Sequence, residues 1–170
     1  MPVTITTKRP DTPTAIQLIT ELEGVLSPLY PDESRHGYSV DKLIKQGVAF
    51  FIVYVDGEAA GCGGVQFFRE EGYAELKRMY IRPAYRGRGL SKQLLAHLED
   101  HTRKGGLQLL RLETGIHQHA AIGLYERVGF SLIGPFGDYT DDPNSLYYEK
   151  RVVSLNRADG NRNTHQQIAD

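Results

Sequence analysis

The sequence predicts an α+β domain with a mixed central sheet of about six to seven strands and helices on both faces. Three observations carry that prediction. Three consecutive strand-like segments between Val48 and Ile81 are joined by short turns, which makes an antiparallel meander. A strand, a glycine loop, a helix and a further strand then follow from Ala74 to Thr114, an order that requires a parallel crossover. Finally, 170 residues with 40% hydrophobic content suit one domain with a substantial core.

Taken in order, Val3 to Thr7 alternates β-branched residues and reads as an edge strand. Asp11-Thr12-Pro13 starts a helix, whose apolar positions Ile16, Leu18, Ile19, Leu22, Val25 and Leu26 repeat at mostly helical spacing before Ser27-Pro28 ends it. Tyr30 to Tyr38 holds Pro31 and Gly37 without periodicity and is expected to be a loop, and Ser39 or Asp41 can cap a short helix through Lys45. Val48 to Val55 is an apolar strand, Asp56-Gly57 a hairpin turn, and Glu58 to Arg69 its returning arm. Glu70-Glu71-Gly72 turns the chain into the strand from Ala74, which Pro83 ends by removing a backbone donor. Leu90, Leu94, Leu95 and Leu98 repeat at helical spacing up to the stop at Lys104-Gly105-Gly106, and Leu107 to Thr114 is the next strand. His119 to Val128 is a short helix closed by Gly129, and Phe130 to Ile133 and Leu146 to Val153 are strands separated by the polar loop Gly137 to Asn144. The domain is expected to span residues 1–153, and residues 154–170 form a polar tail with no apolar period.

Composition narrows the function. The 20 basic and 21 acidic residues are mixed along the chain and leave a net charge of −1, so neither the footprint of nucleic-acid binding nor a polybasic membrane anchor is present. A small partner is expected instead. No run of roughly 18 apolar residues and no leader at Met1 point to a membrane span or secretion. Cys62 is the single cysteine and forms no internal disulfide, which suits a reducing cytoplasmic setting.

The stretch Arg86-Gly87-Arg88-Gly89 sits between a strand and a helix. It points unpaired N–H groups and the positive end of a helix dipole at one spot, with two full charges beside them, so it should hold a phosphate or pyrophosphate. Spacing excludes two such ligand sites: Lys92 stands where a dinucleotide fingerprint needs its third glycine, and no Gly-Lys-Ser/Thr run of a P-loop occurs. Arg86, Gly89 and Ser91 instead fall on the acetyl-CoA loop pattern of Arg/Gln, two residues, Gly, one residue, Gly/Ala, with Ser91 small but neither of the last two. Downstream, Gln118, Ala120, Ala121, Tyr125 and Gly129-Phe130 follow the order of a second signature, with Gln118 in the place of an Asn. On these residues the chain, from about Val48 to Lys150, resembles the GNAT superfamily of N-acetyltransferases.

That resemblance implies a GNAT fold and an acetyltransferase that uses acetyl-CoA as cosubstrate, without a metal, and transfers to a small amine by direct attack in a ternary complex. It implies that the strand at Met79, Tyr80 and Ile81 splays from its parallel neighbour and bonds the pantetheine arm. It places the cofactor on Arg86, Gly87, Arg88, Gly89, Leu90 and Ser91, with the pyrophosphate on the N–H groups of Arg88 to Ser91 and Gln118 also at the cofactor. Tyr125 matches the general acid at the CoA sulfur, and Glu75 stands where histone-acetylating members carry a general base. Packing of Tyr125 between helix and sheet, and pairing of Glu75 with Lys77 or Arg111, are the alternatives. The loop Ser34-Arg35-His36-Gly37 falls where relatives build the acceptor wall, and Arg35 and His36 suit an acceptor with an acidic group, such as an amino acid, because a guanidinium fork matches a carboxylate. Pinning of Arg35 to Asp32, Glu33 or the tail is the alternative there. A non-catalytic acyl-CoA sensor, an acetyltransferase of protein lysines or N-termini, and a homodimer stay open.

Other residues carry plainer expectations. Cys62, between glycines in an apolar strand, reads as a buried structural thiol rather than an acetyl carrier. His97 and His101, and His117 and His119, lack the partners of a metal site and read as surface histidines. Tyr38, Tyr139, Tyr147 and Tyr148 read as core or rim, with one or two lining the amine pocket.

Overall fold

The computed structural model describes residues 2–152; the tail expected from residue 154 lies outside them. The elements are β1 (Val3–Thr7), α1 (Pro13–Leu26), α2 (Val40–Lys45), β2 (Ala49–Val55), β3 (Glu58–Phe68), β4 (Tyr73–Ile81), α3 (Leu90–Lys104), β5 (Leu109–Gly115), α4 (His119–Arg127), β6 (Ser131–Ile133) and β7 (Ser145–Arg151). The strands form one mixed sheet in the order β1-β2-β3-β4-β5-β7-β6. Two single turns of 3-10 helix, Asp32–Ser34 and Pro83–Tyr85, fall in segments read from the sequence as loop and as strand end. Neither turn has an apolar period to betray it.

Local chemistry sets the joints. Ser39 caps α2 by accepting the Lys42 N–H at 3.2 Å. Asp56 and Gly57 both take positive φ, 51° and 81°, so the β2–β3 hairpin closes in the twist its strands prefer. Strand β2 is buried on both faces, which is why it reads as a continuous apolar run. Phe50 and Ile52, with Cys62 and Tyr80, meet Ala15, Leu18, Ile19 and Leu22 of α1 and Leu43 of α2. Phe51, Val53 and Val65 meet Leu90, Leu94, Leu95 and Leu98 of α3 on the opposite face, in a cluster that also takes in Leu110 and Tyr125. His97 and His101 are not free surface residues. They lie edge-on to Phe51 with ring centroids at 4.8 and 5.3 Å, and His101 also stacks on Phe67 at 5.4 Å, a partial burial that pushes its pKa down.

Two irregularities position the site. The parallel pairing of β4 with β5 is confined to Ala74↔Leu110 and Glu75↔Arg111, beyond which the strands part. Between β3 and β4 the register slips between Cys62 and Gly64, so that Arg78 and Met79 share one place in the ladder and Arg78 takes φ 55°. Next to this bulge, Gly61 admits no Cβ, because one would overlap the Tyr80 carbonyl and the Ile81 side chain. Gly61→Ala is expected to cost about 1–3 kcal/mol of stability by forcing β3 off β4, as read by urea denaturation; an unchanged midpoint would mean the strands yield there freely.

Candidate active site

Where β4 and β5 part, a cavity of about 140 Å³ opens. Its walls come from the last turns of α1, the loop from Tyr30 to Gly37, Glu75 to Met79 of β4, the end of β5 and the start of α4, with Tyr139 at one side. Both expected proton-handling residues, Glu75 and Tyr125, face it, as do Arg35, His36, Met79 and Gln118.

Glu75 pairs with Lys77, as one alternative expected, but it does so in the interior, being only 3% exposed. Its Oε2 accepts from the Lys77 ammonium at 2.9 Å and from the Tyr139 hydroxyl at 2.6 Å. Both donors use one oxygen, and among the described residues Oε1 has no hydrogen-bond partner. Burial and the adjacent Glu75 carboxylate push the Tyr139 phenol well above its ordinary pKa, so Tyr139 stays a neutral donor. The Lys77 ammonium also stands 3.9 Å above the Tyr38 ring.

Tyr125 packs its ring against Phe130 and Tyr148, at centroid distances of 5.6 and 6.4 Å. Packing and function are not exclusive here, because among the described residues its hydroxyl has no hydrogen-bond partner while the residue lines the cavity. Burial, with Glu113 adding like charge, pushes the phenol up to about 12. It therefore holds its proton throughout the neutral range, as a proton donor must.

Glu113, at the end of β5, carries a network that the sequence did not reveal. Its Oε2 accepts from the Ser145 hydroxyl at 2.8 Å and pairs with His36 Nδ1 at 3.0 Å. His36 Nε2 lies 3.8 Å from Asp142, whose other oxygen accepts from Ser34 and from the Asn144 N–H. His36 thus ties the acceptor-side loop to β5 and to the loop before β7. Arg35 binds Asp32, one of the partners that the pinning alternative named, and also lies 3.5 Å from Glu23 of α1, which that alternative did not name. Arg78, which sequence reading passed over, is the deeper guanidinium. Its side chain is 4% exposed and is held by Glu23.

The residues expected at the cofactor divide by what they already contact. Among the described residues, none of the N–H groups from Gly87 to Lys92 has a backbone or side-chain acceptor; the ladder of α3 resumes with Gln93 bonding Gly89 at 3.1 Å. Gly87 and Gly89 take φ 78° and 74° with nothing within 4 Å of a built Cβ, so a ligand can approach the bare backbone. This cradle fits a pyrophosphate. The side chains are partly engaged elsewhere: Arg86 Nε donates to the Ile81 carbonyl at 3.1 Å, and Arg88 lies over the Tyr85 ring at 5.3 Å. Leu90 and Ile81 are core residues, and the Tyr80 hydroxyl donates to Glu21 at 3.2 Å, so Tyr80 and Ile81 can offer a ligand only backbone groups. Gln118 accepts from the Tyr30 hydroxyl at 3.1 Å, and that hydroxyl in turn accepts the His117 N–H at 2.9 Å. The Gln118 carbonyl is therefore spent on Tyr30, leaving its NH₂ for a ligand. Cys62 is buried, donates to the Arg78 carbonyl at 3.4 Å and has its thiol pushed up to about 12 by burial, which leaves it no nucleophilic role. Among the described residues, no group of three or more His, Cys, Asp or Glu is placed to hold a metal ion, and no helix is long and apolar enough to cross a membrane.

Comparison with known proteins agrees with this geometry. Residues 16–130 match the model of the Acetyltransferase (GNAT) family. The chain is 42% identical to an IAA acetyltransferase of Azospirillum brasilense, over 87% of this chain and 97% of that one. It is 32% identical to the N-acetyltransferase YsnE of Bacillus subtilis, over 81% of this chain and 91% of that one. Among solved structures, a Klebsiella pneumoniae protein assigned as an acyl-CoA N-acyltransferase superposes with a TM-score of 0.76 at 40% identity, covering 89% of this chain and 98% of that one. The PaiA N-acetyltransferase of Thermoplasma acidophilum, in complex with coenzyme A, superposes with a TM-score of 0.71 at 22% identity, covering 89% and 99%.

Proposed function

The chain belongs to the GNAT acetyltransferase family, and on that premise we propose that it transfers an acetyl group from acetyl-CoA to the amine of a small molecule, such as an amino acid, by direct attack in a ternary complex. The observation that carries this reading is the Tyr125 phenol, buried, fully protonated and without a partner among the described residues, facing the same cavity as Glu75 at the parting of two parallel strands. The empty amides of Gly87 to Lys92 support coenzyme A as the carrier, as does its presence in the Thermoplasma structure.

Acetyl-CoA supplies the activated acyl group. An alkylamine with a pKa of ~10 must lose a proton to attack, which costs ~4 kcal/mol at neutral pH. Glu75 Oε1 is the open oxygen of the carboxylate at the cavity and takes that proton, directly or through water, while Lys77 and Tyr139 fix Oε2. As the C–S bond breaks, Tyr125 gives its proton to the departing thiolate, and the second proton that the attacking nitrogen sheds on becoming an amide returns to the phenolate, so no charge is left on the buried ring. A cavity of about 140 Å³ lined by Arg35, His36 and Tyr139 suits a small acceptor.

Thiol release from acetyl-CoA is expected only when an amine is present, together with an N-acetyl product detected by mass spectrometry. Coenzyme A binding without amine-dependent release across a broad panel would instead make the chain a sensor. Glu75→Gln should abolish the acidic limb of the rate profile, because an amide cannot take the amine proton. A limb that persists unaltered would assign the proton to another group.

A further inference from the structure

Resting on the reading of the chain as an amine acetyltransferase, we propose that the acceptor carries a carboxylate, and that Arg78, with Arg35 beside it, is the residue that reads it. The sequence pointed only to Arg35. Arg78 is the costlier guanidinium to maintain. Its backbone sits at φ 55°, a conformation that a long side chain seldom adopts, and its side chain is 4% exposed. Burying a cation is unfavourable unless its donors find acceptors. One arm of the Arg78 head reaches Glu23, but its Nε is buried and has no partner among the described residues, and the same holds for Nε of Arg35. Folded proteins rarely leave such donors empty. Both residues line one cavity, and each guanidinium keeps a buried Nε without a partner among the described residues.

The surroundings fit an anion. Lys77 is taken up by Glu75, whereas Arg35 and Arg78 share the single carboxylate of Glu23. The other partner of Arg35, Asp32, is 90% exposed and screened by water. The protein's own Glu23 therefore already displays the chemistry that the two forks accept. A planar carboxylate from the acceptor can pair with the terminal N–H groups of the two heads, and Glu23 competes with it for the same heads. Gly37 completes the arrangement: a methyl group there would overlap the Arg78 guanidinium, so the loop that carries Arg35 and His36 lies directly against it.

The test uses the full-length protein with acetyl-CoA and matched trios of acceptors: an amino acid, its carboxamide and its decarboxylated amine. The acid is expected to give kcat/KM about tenfold or more above either neutral form. Arg78→Asn keeps a residue that tolerates positive φ and should raise KM for the acid by about tenfold or more, with little change for the carboxamide. Gly37→Ala, which displaces the guanidinium without removing it, should move KM in the same direction. Glu23→Gln, which removes the competitor, should lower it. Equal use of the acid and the decarboxylated amine, or a loss in Arg78→Asn that is the same for both, would overturn the carboxylate site while leaving the transferase standing. If no trio member supports thiol release, calorimetry of the same compounds on CoA-loaded protein still decides: acid-selective binding lost in Arg78→Asn supports the site, and unselective or absent binding overturns it.

Discussion

Tyr125→Phe is expected to lower turnover by about a hundredfold or more, the usual worth of one well-placed proton donor, while coenzyme A affinity stays that of the parent. The substitution is unusually clean. The ring keeps its contacts with Phe130 and Tyr148, and no hydrogen bond among the described residues is lost with the hydroxyl. The pH dependence follows from the raised pKa. A phenol that titrates near 12 remains a donor up to that range, so Tyr125 contributes no alkaline limb to the parent's rate profile near neutrality. Stopped-flow thiol release and calorimetry of coenzyme A on the same preparation separate the two quantities. Near-normal turnover in the variant would leave Tyr125 as a packing residue.

The second large effect belongs to the cradle of amides. Gly89→Val should weaken coenzyme A binding by about tenfold or more, because a β-branched residue held left-handed costs about 1–2 kcal/mol and the loop escapes by turning its N–H groups away. Open space around Gly89 means that no neighbouring atom is struck, so the loss comes from backbone geometry alone. Gly72 provides the control. It lies in the β3–β4 turn with φ 82° and equally open surroundings, so Gly72→Val imposes a similar strain far from the cradle and should leave the affinity intact. Equal affinities in the two valine variants, both folded by circular dichroism, would separate the loop from the ligand.

Periodicity and turn chemistry made most of the fold legible. Asp56-Gly57, Ser39 and the leucine repeat of α3 each encode a local structure in a few adjacent residues, and the structure places a hairpin, a cap and a helix there. The glycine loop before α3 was legible for the same reason, its two glycines and its helix start being contiguous. The acceptor side was not. Arg78 owes its position to a slip in register between two strands, and alternation along β4 alone predicts no slip. Glu113 gains meaning only from His36 and Ser145, which stand 77 and 32 residues away. Tyr139 was placed among the core or rim aromatics, and only the fold sets its hydroxyl on Glu75 across 64 residues of chain. Arg35 was singled out on charge and loop position, whereas the deeper guanidinium lay hidden inside a strand.

The short parallel pairing has a mechanical meaning as well. With β4 and β5 joined at two residue pairs, the seven strands are two ladders, β1 to β4 and β5-β7-β6, joined by that short seam and by the core cluster they share with α3. Such halves open as separate cooperative units. A ligand lodged in the parting adds the rungs that the chain itself lacks, and at a concentration a hundredfold above its dissociation constant it contributes about 2.7 kcal/mol to the folded state. Amide exchange along the facing edges of β4 and β5 would then slow together on coenzyme A binding, and the two ladders would melt as one.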